Sequence, residues 1–328
     1  MKGLKIIAFL VVLVGILGCA EEPKVETTIA TTNSIIAIDE ANKSLKAYNL
    51  VTGEISTILN NIGDAANDIE IDGDYGYIVV STDNKLMRIN FKDNSLSFVN
   101  FPTGANPNNL VIDGDKIYIT LAVSNQLSIV SKDSFSIMTN INLSSPGYPM
   151  WLRVSSDKIY IATSDGYPNN YNNSRIEVYS KQNYAFITNV SLTYKNPTSL
   201  WIDDTNLYIA CTGQYDGTGK VLKMTTTTYS ISEINIPATN ASFVAVYDNK
   251  LCVIESSWVG IGGFYVYDLN SSNPIHKLNG KGLKNIVYHN GDIFVSEGYG
   301  GSKIYRFKLS DLSDKGEIGI GGGDIAIY

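Results

Sequence analysis

Histidine is almost missing from this chain, whose 328 residues hold two, His276 and His289. Two remote imidazoles and no CxxC pair leave a tetrahedral zinc site without its ligands. The same shortage removes the base of a nucleophilic triad, and no GxSxG segment lies between a strand and a helix. Lys and Arg number 25 against 32 Asp and Glu and form no cluster, so the acidic chain is a poor partner for nucleic acid. Cysteine is scarce too. Cys211 in IAC and Cys252 in LCV lie in apolar strand patterns, which points to buried free thiols rather than a disulfide. Helical periodicity is absent after residue 27. Apolar and polar residues alternate instead, with turn residues every few positions, and 28 Gly and 21 Tyr suit a turn-rich β protein.

The one long apolar run is at the front. Lys2 and Lys5 precede the 12-residue stretch IIAFLVVLVGIL, too short for a stable membrane-spanning helix and typical of a signal peptide. It ends in ILGCA, which resembles a bacterial lipobox. That resemblance implies cleavage after residues 1–18 and lipidation of Cys19, with an ordinary secretory signal as the alternative. Residues 19–32, containing AEEPKVETT, read as a tether, and 33–328 as the folded domain. Loss of Lys2 and Lys5 moves the net charge from −7 to −9. The expected location is therefore extracytoplasmic, on a bacterial outer membrane or cell surface.

An internal repeat sets the architecture. NDIEIDGDYGYIVVSTDNKLMRINF from Asn67 returns as NNLVIDGDKIYITLAVSNQLSIVSK from Asn108. Later copies start at Trp151, Ser199, Phe243 and Asn285, and anchors at Ile71, Ile112, Val154, Ile202, Val246 and Tyr288 are spaced 41, 42, 48, 44 and 42 residues apart. Each unit holds about four short alternating strands, the content of a propeller blade. A third-strand pattern recurs from Leu45, Leu86, Leu127, Ile176, Val221, Phe264 and Ile304, giving seven blades. The first blade lacks only its first strand, and DIAIY supplies it: Ile325 and Ile327 align with Ile69 and Ile71. The expected fold is an all-β seven-bladed β-propeller closed by its C-terminal strand, with Gly321–Gly323 as a flexible turn before it.

These repeats resemble the YVTN-type propeller family, in which a short apolar strand is followed by DG(D/N)K and (I/V)Y(V/I). PNNLVIDGDKIYIT matches closely, while Cys252 and Phe294 depart from the tyrosine column. The resemblance implies a seven-bladed extracytoplasmic propeller and no single activity. Some surface lipoproteins of this general type capture ligands such as cobalamin.

Two faces follow from the blade plan. One carries tight turns such as IDGDK. The other carries long loops, among them Ser164–Arg175, Thr212–Lys220, Glu255–Gly263 and Glu297–Ser302. This loop face gathers the aromatic binding candidates Tyr148, Trp151, Tyr167, Tyr171, Tyr215, Trp258 and Tyr299, with Tyr194 nearby. Turn capping is the competing explanation for any one of them, and Trp151 also suits a strand core. At the channel mouth, Asp68, Asn109, Asn285 and Asp324 supply oxygens suited to a cation or polar ligand; turn capping and backbone hydrogen bonding are the favoured role. Glu70 and Arg153 on the first strands are either solvated in the channel or paired.

The expected function is capture of a small molecule, cobalamin-like or glycan, or of a partner protein, on the loop face. A scaffold for outer-membrane protein assembly ranks second, and a channel-metal hydrolase resembling lactonases third. No cofactor is expected, the domain is expected to be monomeric, and whether a metal binds is left open.

Overall fold

The computed structural model describes residues 28–328, apart from 167–168, 215, 237, 256–260, 270–273 and 299. The lipidation candidate Cys19 and the signal segment lie outside the described residues. Seven four-stranded antiparallel sheets follow one another around a ring. Their innermost strands are β4 (Ala66–Asp72), β8 (Pro107–Asp113), β12 (Tyr148–Val154), β16 (Pro197–Ile202), β20 (Ala241–Tyr247), β24 (Leu283–His289) and β28 (Ile325–Ile327). The first blade is ordered β28, β1 (Ser34–Asp39), β2 (Ser44–Asn49), β3 (Ile55–Asn60), as the repeat count predicts.

Alternation explains why these sheets stack. Each blade turns one apolar row toward each neighbour, and seven buried clusters result, one at every interface between blades. Tyr77, Tyr118, Tyr160 and Tyr208, the tyrosine column of the repeats, are buried in them. Cys252 and Phe294 fill the same column in the sixth and seventh blades, buried in the clusters on either side of the seventh. Both Cys211 and Cys252 are free and buried.

Closure is specific. Ile35, Ile36 and Ala37 pair with Ile327, Ala326 and Ile325. Tyr328 exchanges backbone hydrogen bonds with Ser34 (3.1 and 2.9 Å) and lays its ring 4.7 Å from Phe91 of the second blade. The glycines before the strand stand where backbones nearly touch. A Cβ on Gly322 would come 2.2 Å from the carbonyl oxygen of Gly298, and one on Gly323 would come 2.3 Å from that of Ile38. Only glycine lets the backbones approach so closely. Packing also starts before residue 33: Ala30 is buried in the cluster between the first two blades, and the Thr28 carbonyl accepts a hydrogen bond from Asn94. His276, which its flanking Ser, Asn and Pro residues suggest for a surface turn, lies in the outer strand β23 (Pro274–Lys281), opposite Val266.

Candidate functional site

The inner strands share a device that the repeat alignment hides. In β4, β8, β12, β16, β20 and β24 the register slips near the loop-face end, between Ala66 and Asp68 in the first of them and between Leu283 and Asn285 in the last. A bulge there places the next residue, the one expected just before the strand, inside the ring. Asp68, Asn109, Asn285 and Asp324 thus form part of a buried collar, and the strands start earlier than predicted.

The collar joins blades. Asp68 Oδ2 accepts from Asn109 Nδ2 (2.6 Å) and from the Leu110 amide (2.9 Å). Asn109 Oδ1 accepts from the Leu152 amide (2.9 Å), and Asn285 donates to Asp324. Lys284 pairs with Glu40 and lies 3.4 Å from Asp324. An innermost strand leaves edge amides unpaired, and side chains of the preceding blade satisfy them. Asp68 Oδ2, Asn109 Oδ1 and Asp324 Oδ1 are thus engaged by N–H groups, and burial, with Asp324 and Glu70 nearby, pushes the Asp68 carboxyl well above its usual range toward the neutral form. Among the described residues no group of three His, Cys, Asp or Glu side chains is placed to hold a metal.

Below the collar lies a cavity of about 300 Å³ whose wall includes Glu70, Arg153, Trp151, Trp201, Tyr247 and Tyr288. Glu70 Oε2 accepts from the Ile112 amide (2.8 Å). Arg153 forms no ion pair within 4 Å among the described residues, so the two are neither directly paired nor free in bulk water. Burial raises the Glu70 carboxyl to about 7, against the pull of Arg153. Its ionisation therefore destabilises the fold between the usual carboxylate range and neutrality. Glu70→Gln is expected to leave stability unchanged at pH 4 and to raise it by about 1–3 kcal/mol at pH 8. Urea unfolding at the two values measures this, and an equal effect at both would refute the assignment.

A larger groove, about 800 Å³, lies on the loop face of the fourth blade. Its walls come from the segment before β12, the loop between β13 (Lys158–Ser164) and β14 (Arg175–Ser180), and the chain leaving β15 (Phe186–Ser191). Tyr148 and Tyr171 both line it, with Asn169, Asn172, Asn173, Asn189, Ser191, Thr193 and Lys195. The long loop is shaped locally: Tyr171 N–H donates to the Gly166 carbonyl (2.9 Å), and Asn170, Tyr171 and Asn173 take the left-handed conformation that Asn tolerates.

Beneath the groove a buried network fixes both walls. Arg175 donates to Glu177 Oε1 from Nη2 (2.7 Å) and Nε (3.0 Å). The same guanidinium donates to the carbonyls of Ser145, Pro146 and Asn173, each at 3.0 Å. Glu177 Oε2 accepts from Tyr179 (2.7 Å) and from the Ser144 hydroxyl (2.9 Å) and amide (3.1 Å). Glu177 has no solvent exposure, yet every polar atom of the pair has a partner. In sequence this network gave one readable signal: Arg and Glu two residues apart on what should be a buried strand.

The structure separates the aromatic candidates. Tyr148 and Tyr171 meet in the groove, whereas Trp151 faces the channel, 5.7 Å from Phe243 in a T-shaped contact. Tyr194 donates to Glu233 (2.6 Å). Tyr167, Tyr215, Trp258 and Tyr299 lie outside the described residues.

No family model matches the chain, and no curated protein does. Solved structures match in fold. The computationally designed Ika8 protein superposes with a TM-score of 0.65 at 8% identity, over 90% of this chain and 86% of that one. A catalytically inactive virginiamycin B lyase from Staphylococcus aureus with quinupristin gives 0.60 at 18% identity, over 84% and 96%. Apo AztD from Citrobacter koseri gives 0.54 at 11% identity, over 89% and 96%. At these identities the likeness concerns the propeller alone.

Proposed function

We propose that this chain is a lipid-anchored, extracytoplasmic binding protein that captures a hydroxyl-rich ligand of the glycan class in the groove of the fourth blade. The groove itself carries the reading. It is large enough for a small oligosaccharide, and its walls combine two tyrosine rings with several amide side chains and hydroxyls. Amides both donate and accept, as a sugar hydroxyl does, while tyrosine offers an apolar face to ring C–H groups. The floor is rigid because Arg175 and Glu177 are saturated, so little ordering opposes binding. Attachment through Cys19 would present the groove away from a membrane, which agrees with the signal-like first residues.

Titration of the intact chain with a panel of neutral and acidic oligosaccharides tests this. One class is expected to bind, and Tyr148→Ala combined with Tyr171→Ala is expected to weaken it at least tenfold with no change in unfolding midpoint. Unaltered affinity in that double variant would remove the groove as the site.

A further inference from the structure

The channel cavity is independent of the groove, and its chemistry differs. At the inner-strand position two residues past the collar, Glu70, Arg153, Trp201, Val287 and Ala326 line the cavity, while Val111 and Ala245 pack into the interfaces between blades. Val287 and Ala326 are small, so the wall of the cavity facing the ring leaves room for a ligand. Exposure rises along the inner strands toward the short-turn face, whereas the collar at the other end is buried. The cavity is thus a cup, shut toward the loops and open on the opposite face.

Each acid has one oxygen engaged: Glu70 Oε2 holds the Ile112 amide, and Asp68 Oδ2 holds Asn109 and Leu110. Among the described residues Arg153 makes one hydrogen bond, from Nη1 to the Leu152 carbonyl at 2.9 Å, and otherwise lies over the Trp151 ring at 5.5 Å, which leaves most of its N–H groups open. Trp151 Nε1 is buried on the same wall with no acceptor among the described residues. A buried donor without an acceptor is costly, and a guanidinium with open N–H groups matches a carboxylate. Flat apolar surface is supplied by Trp201, 4.9 Å from Tyr247, which stacks on Tyr288 at 5.2 Å.

We propose that this cup is a second binding site, open on the short-turn face, for a small aromatic or cyclic carboxylate whose charge is held by Arg153 and whose ring lies among Trp201, Tyr247 and Tyr288. Glu70 sets its pH response. The charged groups around Glu70 are Arg153 from β12 and Asp68 from its own strand; Asp324, before β28, acts on Asp68, with Lys284 of β24 beyond it. Protonation of Glu70 near neutrality leaves the Arg153 charge less opposed, so anion affinity falls as pH rises through that range.

Tryptophan fluorescence of the intact chain, titrated with benzoate, benzamide and benzylamine at pH 6 and pH 8, provides the test. Benzoate should bind saturably, at least tenfold tighter than benzamide or benzylamine, and severalfold more weakly at pH 8 than at pH 6. Arg153→Met should erase the preference for benzoate, and Glu70→Gln should remove the pH dependence by strengthening binding at pH 8. Tyr148→Ala, in the groove, should change neither. Equal affinity for benzamide, tighter binding of benzylamine, or no saturable signal overturns the proposal. Should Arg153→Met fail to fold, Glu70→Gln decides alone: tighter benzoate at pH 8 supports the site, and unchanged affinity refutes it.

Discussion

A chain shortened by Asp324–Tyr328 is expected to lose its cooperative unfolding transition altogether. The five residues supply the inner strand of the first blade, and three ladder pairs with β1 go with them. Ile325 leaves the cluster between the seventh and first blades, and Ala326 and Tyr328 leave the cluster between the first and second. The collar loses Asp324, so Asn285 keeps no acceptor there and Lys284 keeps only Glu40. Burial of these side chains contributes on the order of 5–10 kcal/mol, comparable to the whole stability of a domain. β1 would also become an open inner edge, a template for pairing with another chain. Circular dichroism melting of the truncated chain checks this. A sharp transition within a few degrees of the full-length protein would show that the ring does not depend on its last strand.

Glu177→Ala is expected to cost about 3–5 kcal/mol, since it strands the Arg175 guanidinium in a site with almost no water. Tyr179 and Ser144 lose their shared acceptor in the same step. The companion experiment separates charge from packing. Arg175→Met with Glu177→Leu removes both charges while keeping similar volume, and should restore most of the stability. It should not restore ligand capture, because Arg175 also holds the carbonyls of Ser145, Pro146 and Asn173, which set the groove walls. Urea denaturation of both variants tests the first part and an oligosaccharide titration the second. A single-variant loss below 1 kcal/mol would mean that Glu177 is not the buried anchor described above.

The blade count was readable because a strand in a stacked sheet must alternate, and that alternation repeats at every blade interface. Ile325 and Ile327 could be matched to Ile69 and Ile71 on this ground alone. The collar was only half readable. Asp68 and Asn109 stood out as polar residues beside apolar strands, but their position depends on a bulge. A bulge shifts register by one residue and leaves no composition mark when the extra residue is Asn67, Asn108 or Met150. The GGG run reads as a turn, but the sequence did not show that Gly322 and Gly323 are also needed for close backbone approach.

At the site, loop residues obey no period, so their placement followed only from the face they share. Tyr148 and Trp151, three residues apart, were grouped together, yet the intervening bulge at Met150 sends Tyr148 to the groove and Trp151 into the channel. The Arg175–Glu177 pair carried more information than any aromatic, since two charges on one inward-facing strand row demand a built partner network.

The most direct test of the groove is hydrogen exchange on the intact chain, read by mass spectrometry with and without the oligosaccharide that binds best. The account predicts slowed exchange in the segments around Ser144–Tyr148, Asp165–Ser174 and Ser191–Lys195, with the inner-strand ends unchanged. Slowing confined to the inner strands or to the short turns of the opposite face, with those three segments unaffected, would contradict it.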